Sequence, residues 1–419
     1  MSEPDLDRAS LTRVRRRTLW VLSLGQVLGG LAFGATISLG AVLAAAVSGD
    51  DALSGLATAS VTLGAAALAV PLAAFARRRG RRRALAGGML LALVGVGLVV
   101  LAAALDLFPL LLVAFVLIGS GQAANLQSRF AAADLSTDLS RGRDLSVVVW
   151  ATTIGAVLGP NLVGPGEYLG GMLGMPALTG PYLFTIAAQV LGVILYLVAL
   201  RPDPLLLAQR LVAQRVHGSS AIAKPDRPRA ARFAILAIAG AHGVMVAVMA
   251  MTPVHLMHHG AALEIIGLTI SLHIAGMYAL APVFGILSDR IGRVATVLVG
   301  QALLAASLLV AALGAESHTA VTVALILLGL GWSAATVSGA ALLTEASAED
   351  RRTTRQGRSD LIMNLVGAAG AIGAGVVLGW IGYGGLALLA LAVVGVVTVL
   401  SPFGRIVRAG THEASDAHV

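Results

Sequence analysis

The amino-acid sequence predicts an all-α polytopic membrane protein with twelve transmembrane helices in two pseudo-symmetric six-helix bundles. Three observations carry that prediction. Of 419 residues, 57% are hydrophobic and 12% charged, with a mean hydropathy of +0.88, whereas a soluble domain carries roughly 25% charged residues. Uncharged runs such as "LALVGVGLVVLAAAL" and "GLALLALAVVGVVTVL" recur, and about 20 such residues cross a bilayer as a helix, while barrel strands need alternating polarity. Lys and Arg, finally, fall in every second connection between those runs.

In chain order, a polar arm (1–18) precedes apolar segments at 19–44, 54–76, 84–105, 109–130, 145–166 and 180–200. These form the first bundle, 19–200. A linker, 201–232, leads to segments at 233–257, 265–288, 294–314, 319–343, 360–382 and 385–402, the second bundle (233–402), and a tail, 403–419. The arm runs directly into a full-length apolar segment, unlike a cleavable leader. Within the linker, "LLLAQRLVAQRV" is amphipathic and reads as a short helix along the headgroups or as a solvated stretch against anionic lipid.

With the N-terminus inside, all 29 Lys and Arg lie in cytoplasmic segments: 1–18, 77–83, 129–143, 201–232, 290–293, 351–358 and 405–408. The opposite loops carry Asp50, Asp51, Asp106, Glu167, Glu264 and Glu316. The positive-inside rule then places both termini in the cytoplasm and requires an even span count. The net charge of +8 therefore belongs to the membrane surface and not to a nucleic-acid partner. Abundant Ala, Gly, Val and Arg with almost no Lys point to a GC-rich bacterial genome, hence to a bacterial inner membrane, where the chain is expected to act as a monomer.

Cysteine is absent, so disulfides and thiolate metal sites are excluded. "GLGWSA" sits inside an apolar span, not after a strand, so it is no phosphate loop. No Ser/His/Asp arrangement or zinc-protease spacing occurs. The chain reads as a gradient-driven transporter without a cofactor, and not as an enzyme.

The halves repeat. "RRRGRRR" after the second span matches "DRIGRVA" after the eighth, aligning Gly80 with Gly292; "LIGSGQAA" in the fourth matches "LLGLGWSAA" in the tenth, aligning Gly119 with Gly329. Halves so related enclose a central cavity opened alternately to each side.

"GILSDRIGR", with Gly285, Asp289, Arg290, Gly292 and Arg293, resembles the signature G-x-x-x-D-R-x-G-R-R of the major facilitator superfamily. That signature lies between the second and third helices of the family and is echoed between the eighth and ninth; the likeness covers essentially the whole chain. It implies that Asp289 and Arg290 act in gating, the carboxylate accepting hydrogen bonds from a neighbouring helix N-terminus and the arginines pinning the loop at the surface, a purely topological role for the arginines being the alternative. In the first half Arg77 stands where the acid would be, which puts that half's inner latch in doubt. "GAVLGPNLVGP" in the fifth span resembles the family's antiporter pattern, with Val163 in place of one glycine. Gly155, Gly159 and Pro160 permit close helix contact and a kink, although small-residue packing alone also accounts for them.

Histidine and methionine gather in one place. Ten of the 19 lie between His242 and Met277: His242, Met245, Met249, Met251, His255, Met257, His258, His259, His273 and Met277. Met245 and Met249 stand four apart on the seventh span, as do His273 and Met277 on the eighth, so each pair shares a helix face. His242 extends the first edge by a turn. His255, His258 and His259 repeat the spacing at the outer end, with Met251 a turn below, although Met251 is expected to face lipid. Thioether and imidazole are the donors that suit Cu(I); the alternatives are packing filler and interfacial side chains. "MVAVM" and "HIAGM" resemble the paired motifs of the CcoA-like copper importers, which implies Met245, Met249, His273 and Met277 as metal ligands and the other histidines with Met251 as a relay. Other transporters in that branch carry riboflavin or other small molecules, and the fifth-span motif leaves a proton-coupled exporter of organic compounds as a further alternative.

Polar residues in the spans complete the candidates. Gln122, Asn125 and Arg129 share a face of the fourth span, with Arg129 able to pair with Asp134. Asp360 and Asn364 begin the eleventh span near the inner mouth, Asp360 either coupling protons or, as the favoured reading, stabilising a helix start. Glu264 attracts cations or caps the eighth span.

Overall fold

A computed structural model of the chain describes residues 8–49, 53, 55–137, 139–218, 226–261 and 263–405. The first half holds α1 (Arg8–Ser48), α2 (Gly55–Arg79), α3 (Arg81–Ala104), α4 (Phe108–Ala133), α5 (Arg141–Asn161), the short α6 (Val163–Met172) and α7 (Tyr182–Ala199). The linker forms α8 (Pro204–Gly218). The second half holds α9 (Pro228–His258), α10 (Leu263–Tyr278), α11 (Ala281–Ile291), α12 (Arg293–Leu313), α13 (His318–Ala346) and α14 (Glu349–Val399), closed by a 3₁₀ turn at Ser401–Gly404. No strand occurs among the described residues. Nine helical stretches there are long and apolar enough to cross a membrane. The twelve predicted spans map onto α1 to α5, α7, α9, the α10–α11 pair, α12, α13 and the two arms of α14.

Local chemistry explains the breaks. α14 divides at Gly382, whose φ of 69° lies in the left-handed region open to glycine. The eighth predicted span is interrupted where Pro282 opens α11, because proline has no N–H to continue the preceding helix. α14 begins at Glu349, eleven residues before the predicted start. Asp360 therefore sits three turns inside a helix, and the favoured helix-start role is corrected.

The sequence repeat is a structural repeat. Gly80 and Gly292 share one backbone conformation, φ 87°, ψ 166° and φ 99°, ψ 157°, at the turns into α3 and α12. Gly119 and Gly329 let their helices cross at backbone contact. A Cβ on Gly119 would lie 2.3 Å from the Val61 carbonyl oxygen and 2.6 Å from the Ala65 nitrogen; on Gly329, 2.4 Å from the His273 oxygen and 2.9 Å from the Met277 nitrogen. Close packing of this kind drives helix association where lipid removes the hydrophobic difference. Gly155 does the same between α5 and α1, 2.3 Å from the Val27 oxygen. Gly159 is buried in α5, which also contains Pro160 and ends one residue later.

Each half has its own apolar core. One gathers Leu43, Val96, Leu111, Phe115 and Tyr182; the other gathers Met245, Met277, Leu304, Leu325, Leu328 and Trp332. A third cluster joins Phe130 and Leu145 of the first half to Phe233, Ile238, Leu342 and Met363 of the second. Where the halves meet, α2 packs on α14 and α5 on α11.

Candidate functional site

The four methionines of the group on α9 and α10 whose side chains are described pack in the second half's core. Met245 and Met277 are 3% and 7% exposed and belong to one apolar cluster, against which the half-buried Met249 and Met251 pack. Met251 thus turns toward the core, correcting the lipid-facing expectation; its sulfur lies 4.0 Å from a Cβ placed on Gly375. His273 is fully buried. Its Nδ1–H donates to the Leu325 carbonyl of α13 at 2.8 Å, which fixes the tautomer with a bare lone pair on Nε2. That nitrogen is buried and unpartnered. The Val61 and Ala65 contacts of the first half identify the positions equivalent to His273 and Met277, so the helix crossing itself demands neither imidazole nor sulfur.

His242 is differently placed. Trp332 Nε1–H donates to its Nδ1 at 3.1 Å, and Tyr278 packs edge-on against Trp332 with ring centres 5.7 Å apart. This aromatic group, on α9, α10 and α13, was not anticipated from the sequence, where the three residues are far apart and each is ordinary alone.

The outer histidines each give one ring nitrogen to a backbone carbonyl, except the exposed His258. His255 donates from Nε2 to the Ala315 oxygen at 2.6 Å and stacks on Tyr383 at 4.3 Å. His259 donates from Nδ1 to the His255 oxygen, and His318 from Nε2 to the His259 oxygen. His258 is exposed. The side chains of Met257 and Glu264 lie outside the described residues. No group of three or more His, Asp or Glu able to hold a metal ion occurs among the described residues. The spacing suggests a relay along one helix; in the structure one ring N–H of His255 goes to the Ala315 carbonyl beyond α12 and one of His259 to the His255 carbonyl of α9 itself.

A second polar assembly joins the halves at the arginine-rich end. Arg129 of α4 pairs with Asp360 of α14 at 2.5 Å, and Gln127 Nε2 donates to the other Asp360 oxygen at 3.1 Å. The expected partner of Arg129, Asp134, belongs instead to the fully buried Arg81, at 2.9 Å. Arg81 also donates to Gln127 Oε1 at 2.8 Å and Gln356 Oε1 at 2.6 Å. Asn364 donates to the Asp360 backbone oxygen. Gln122 keeps a buried Oε1 without a partner, and Asn125 approaches Gly29 of α1.

Beside it, the carboxylate of Asp289 accepts the N–H groups of Gly142 and Arg143 at 2.9 Å each, at the start of α5. Arg293 holds the same carboxylate and also Glu345, the latter at 3.3 Å. The negative group meets the positive end of a helix dipole from the opposite half. Gly285 makes room: a Cβ there would lie 2.5 Å from the Gly142 oxygen. Arg290, named with Asp289 for gating, is exposed and has no hydrogen bond or ion pair among the described residues.

The first half repeats this arrangement only in part. Arg81 with Asp134 reproduces Arg293 with Glu345, but Arg77, at the place of Asp289, is exposed. A carboxylate arrives from the linker instead: Asp203 accepts the Arg82 N–H at 2.8 Å while capping α8 through Leu205 and Leu206.

Comparison with known proteins places this geometry. The Major Facilitator Superfamily model matches residues 22–265 and 233–417. The chain is 37% identical over 371 residues to the uncharacterized MFS-type transporter YddS of Bacillus subtilis, spanning 87% of this chain and 85% of that protein. It is 31% identical over 391 residues to the riboflavin transporter RfnT of Brucella anthropi, covering 87% and 90%. In fold it is similar to the human organic anion transporter MFSD10, with a TM-score of 0.71 at 19% identity over 93% of this chain and 99% of that one. The Escherichia coli fucose:proton symporter FucP gives 0.67 at 17% identity, over 93% and 98%. Two halves of repeated helices, pinned together by Asp289 and Asp360 at one end, and the matches over most of its length agree: the chain belongs to the Major Facilitator Superfamily, as a multi-pass membrane transporter and not an enzyme.

Proposed function

We propose that this transporter imports Cu(I), carried by Met245, Met249, His273 and Met277, by alternating access between the bundles 19–200 and 233–402. In this reading the arginine-rich end faces the cytoplasm, as the positive-inside rule requires, and the protein works as a monomer in a bacterial inner membrane.

The observation that carries the reading is the free Nε2 of His273. A buried polar atom without a partner is costly, and its lone pair is aimed by the Nδ1–H bond to Leu325. A metal-binding histidine is held in the same manner, by its second nitrogen on a carbonyl. The thioethers of Met245 and Met277 lie in the same apolar cluster. Neutral soft donors suit a monovalent soft ion, whereas a harder divalent ion favours carboxylates.

The aromatic group of His242, Tyr278 and Trp332, together with the likeness to a riboflavin transporter, favours a second reading. Here a planar organic heterocycle is the cargo, stacked against those rings.

Uptake of radiolabelled copper and of radiolabelled riboflavin, in cells with and without the protein, separates the two. Copper accumulation that disappears in Met249→Ala and His273→Ala, with protein still in the membrane, supports the first. Normal copper accumulation in both variants removes it.

A further inference from the structure

We propose that the cleft between the α11–α12 turn and the final 3₁₀ turn seats the phosphate of an anionic phospholipid, held by Arg290 and Arg405. A cavity of about 750 Å³ opens there, lined by Arg290, Arg293, Glu345, Gly404 and Arg405 among others. A second, of about 260 Å³, adjoins it across Leu139, Asp289 and Arg290.

Charge bookkeeping picks out the contacts. Asp289 and Glu345 are already engaged by Arg293 and by the start of α5. Arg290 and Arg405 are exposed, and their guanidinium groups have no partner among the described residues. Two guanidinium groups on one cleft, with the nearby carboxylates already occupied, match a phosphate.

The apolar surroundings select a lipid over a soluble anion. On α11, Val283 and Ile286 are 55% and 40% exposed, and they share a helix face with Arg290 at three- and four-residue spacing. An apolar stripe therefore runs along the helix and ends in a cation, as acyl chain and headgroup would require. Leu139, at 77% exposure, overhangs both cavities. The position is that of basic pockets that take anionic headgroups at the cytoplasmic ends of membrane helices.

Native mass spectrometry of the detergent-released full chain tests this, with phosphatidylglycerol, phosphatidylcholine or inorganic phosphate added. Retained phosphatidylglycerol is expected, reduced about tenfold by Arg290→Gln with Arg405→Gln and unchanged by Arg78→Gln with Arg79→Gln, which removes equal charge from exposed sites in the other half. Equal retention by both double variants overturns the proposal. So does displacement by an equal concentration of inorganic phosphate, which assigns the cleft to a free anion. If the first double variant does not fold, Arg405→Gln alone, in the last described residue, carries the same comparison.

Discussion

Arg129 on α4 and Asp360 on α14 meet at 2.5 Å with side chains 4% and 1% exposed, so one buried ion pair ties the two halves together. Gln127 completes the carboxylate's coordination. Removing one partner leaves the other charged, buried and unpaired, which costs about 3–5 kcal/mol in such settings. Asp360→Asn is expected to weaken the closed arginine-rich end. The chain has no cysteine, so a single probe is readily introduced. Val149→Cys, in the buried cross-half cluster with Ala281 and Val337, should label faster when combined with Asp360→Asn. Unchanged labelling would argue that the pair does not hold the halves.

Asp289 offers an independent handle on the same end. Its carboxylate takes two backbone N–H groups of α5, and hydrogen bonds to a charged group contribute about 1.5–3 kcal/mol. Asp289→Asn keeps an oxygen but loses the charge, so Val149→Cys labelling should rise here too. Gly285→Ala tests the same contact by sterics, because the new Cβ would meet the Gly142 oxygen at 2.5 Å. Both should lower the unfolding temperature in detergent, and a Gly285→Ala protein as stable as the parent would refute the close approach.

His273→Asn separates the structural from the ligating role of that side chain. The amide N–H can replace Nδ1–H toward the Leu325 oxygen, but no lone pair remains where Nε2 stood. Thermal stability is expected to stay near that of the parent while copper uptake falls at least about tenfold, since even a partner that only orients a metal ligand is worth about 10–100-fold. Riboflavin uptake, if present, should persist. Loss of stability with copper uptake retained would mark His273 as a packing residue.

At the linker's end, Asp226 accepts from Arg355 at 2.5 and 2.8 Å and from the Ala348 N–H. The hydrogen-bonded Arg355 guanidinium holds this carboxyl below its ordinary value of 3.8, against the opposing effect of burial. A carboxyl depressed on folding stabilises the fold above its unfolded value and loses that contribution as pH falls through the folded one. Asp226→Asn should therefore unfold at a lower temperature than the parent at pH 7. The gap should narrow below about pH 4, where the carboxyl of the unfolded chain begins to protonate while the folded one is still charged. A gap constant from pH 7 to pH 3 would show that the charge is not involved.

Much of the architecture was legible because the bilayer imposes simple rules. Apolar length marks a span, arginine marks the inner loops, and a repeated glycine marks a crossing, as Gly119 and Gly329 show at near-identical geometry. The site was legible only in part. That His273 and Met277 differ from the bland Val61 and Ala65 of the equivalent crossing is visible in the letters once the repeat is aligned. The bonds of His255 and His259 to carbonyls of their own surroundings were not, since spacing along one helix cannot reveal what a neighbouring turn presents.

By itself, then, the sequence determined that this chain crosses the membrane repeatedly, which ends carry the positive charge, and that two halves share one plan. Those follow from composition and period, which act residue by residue. Only the tertiary structure decided that Arg129 takes Asp360 while Arg81 takes Asp134, that Asp289 reaches the start of α5, and that Arg290 meets no partner among the described residues. Partners 53 to 231 residues apart are chosen by how helices cross, and a carboxylate goes to whichever buried cation or helix end the packing brings within hydrogen-bond reach.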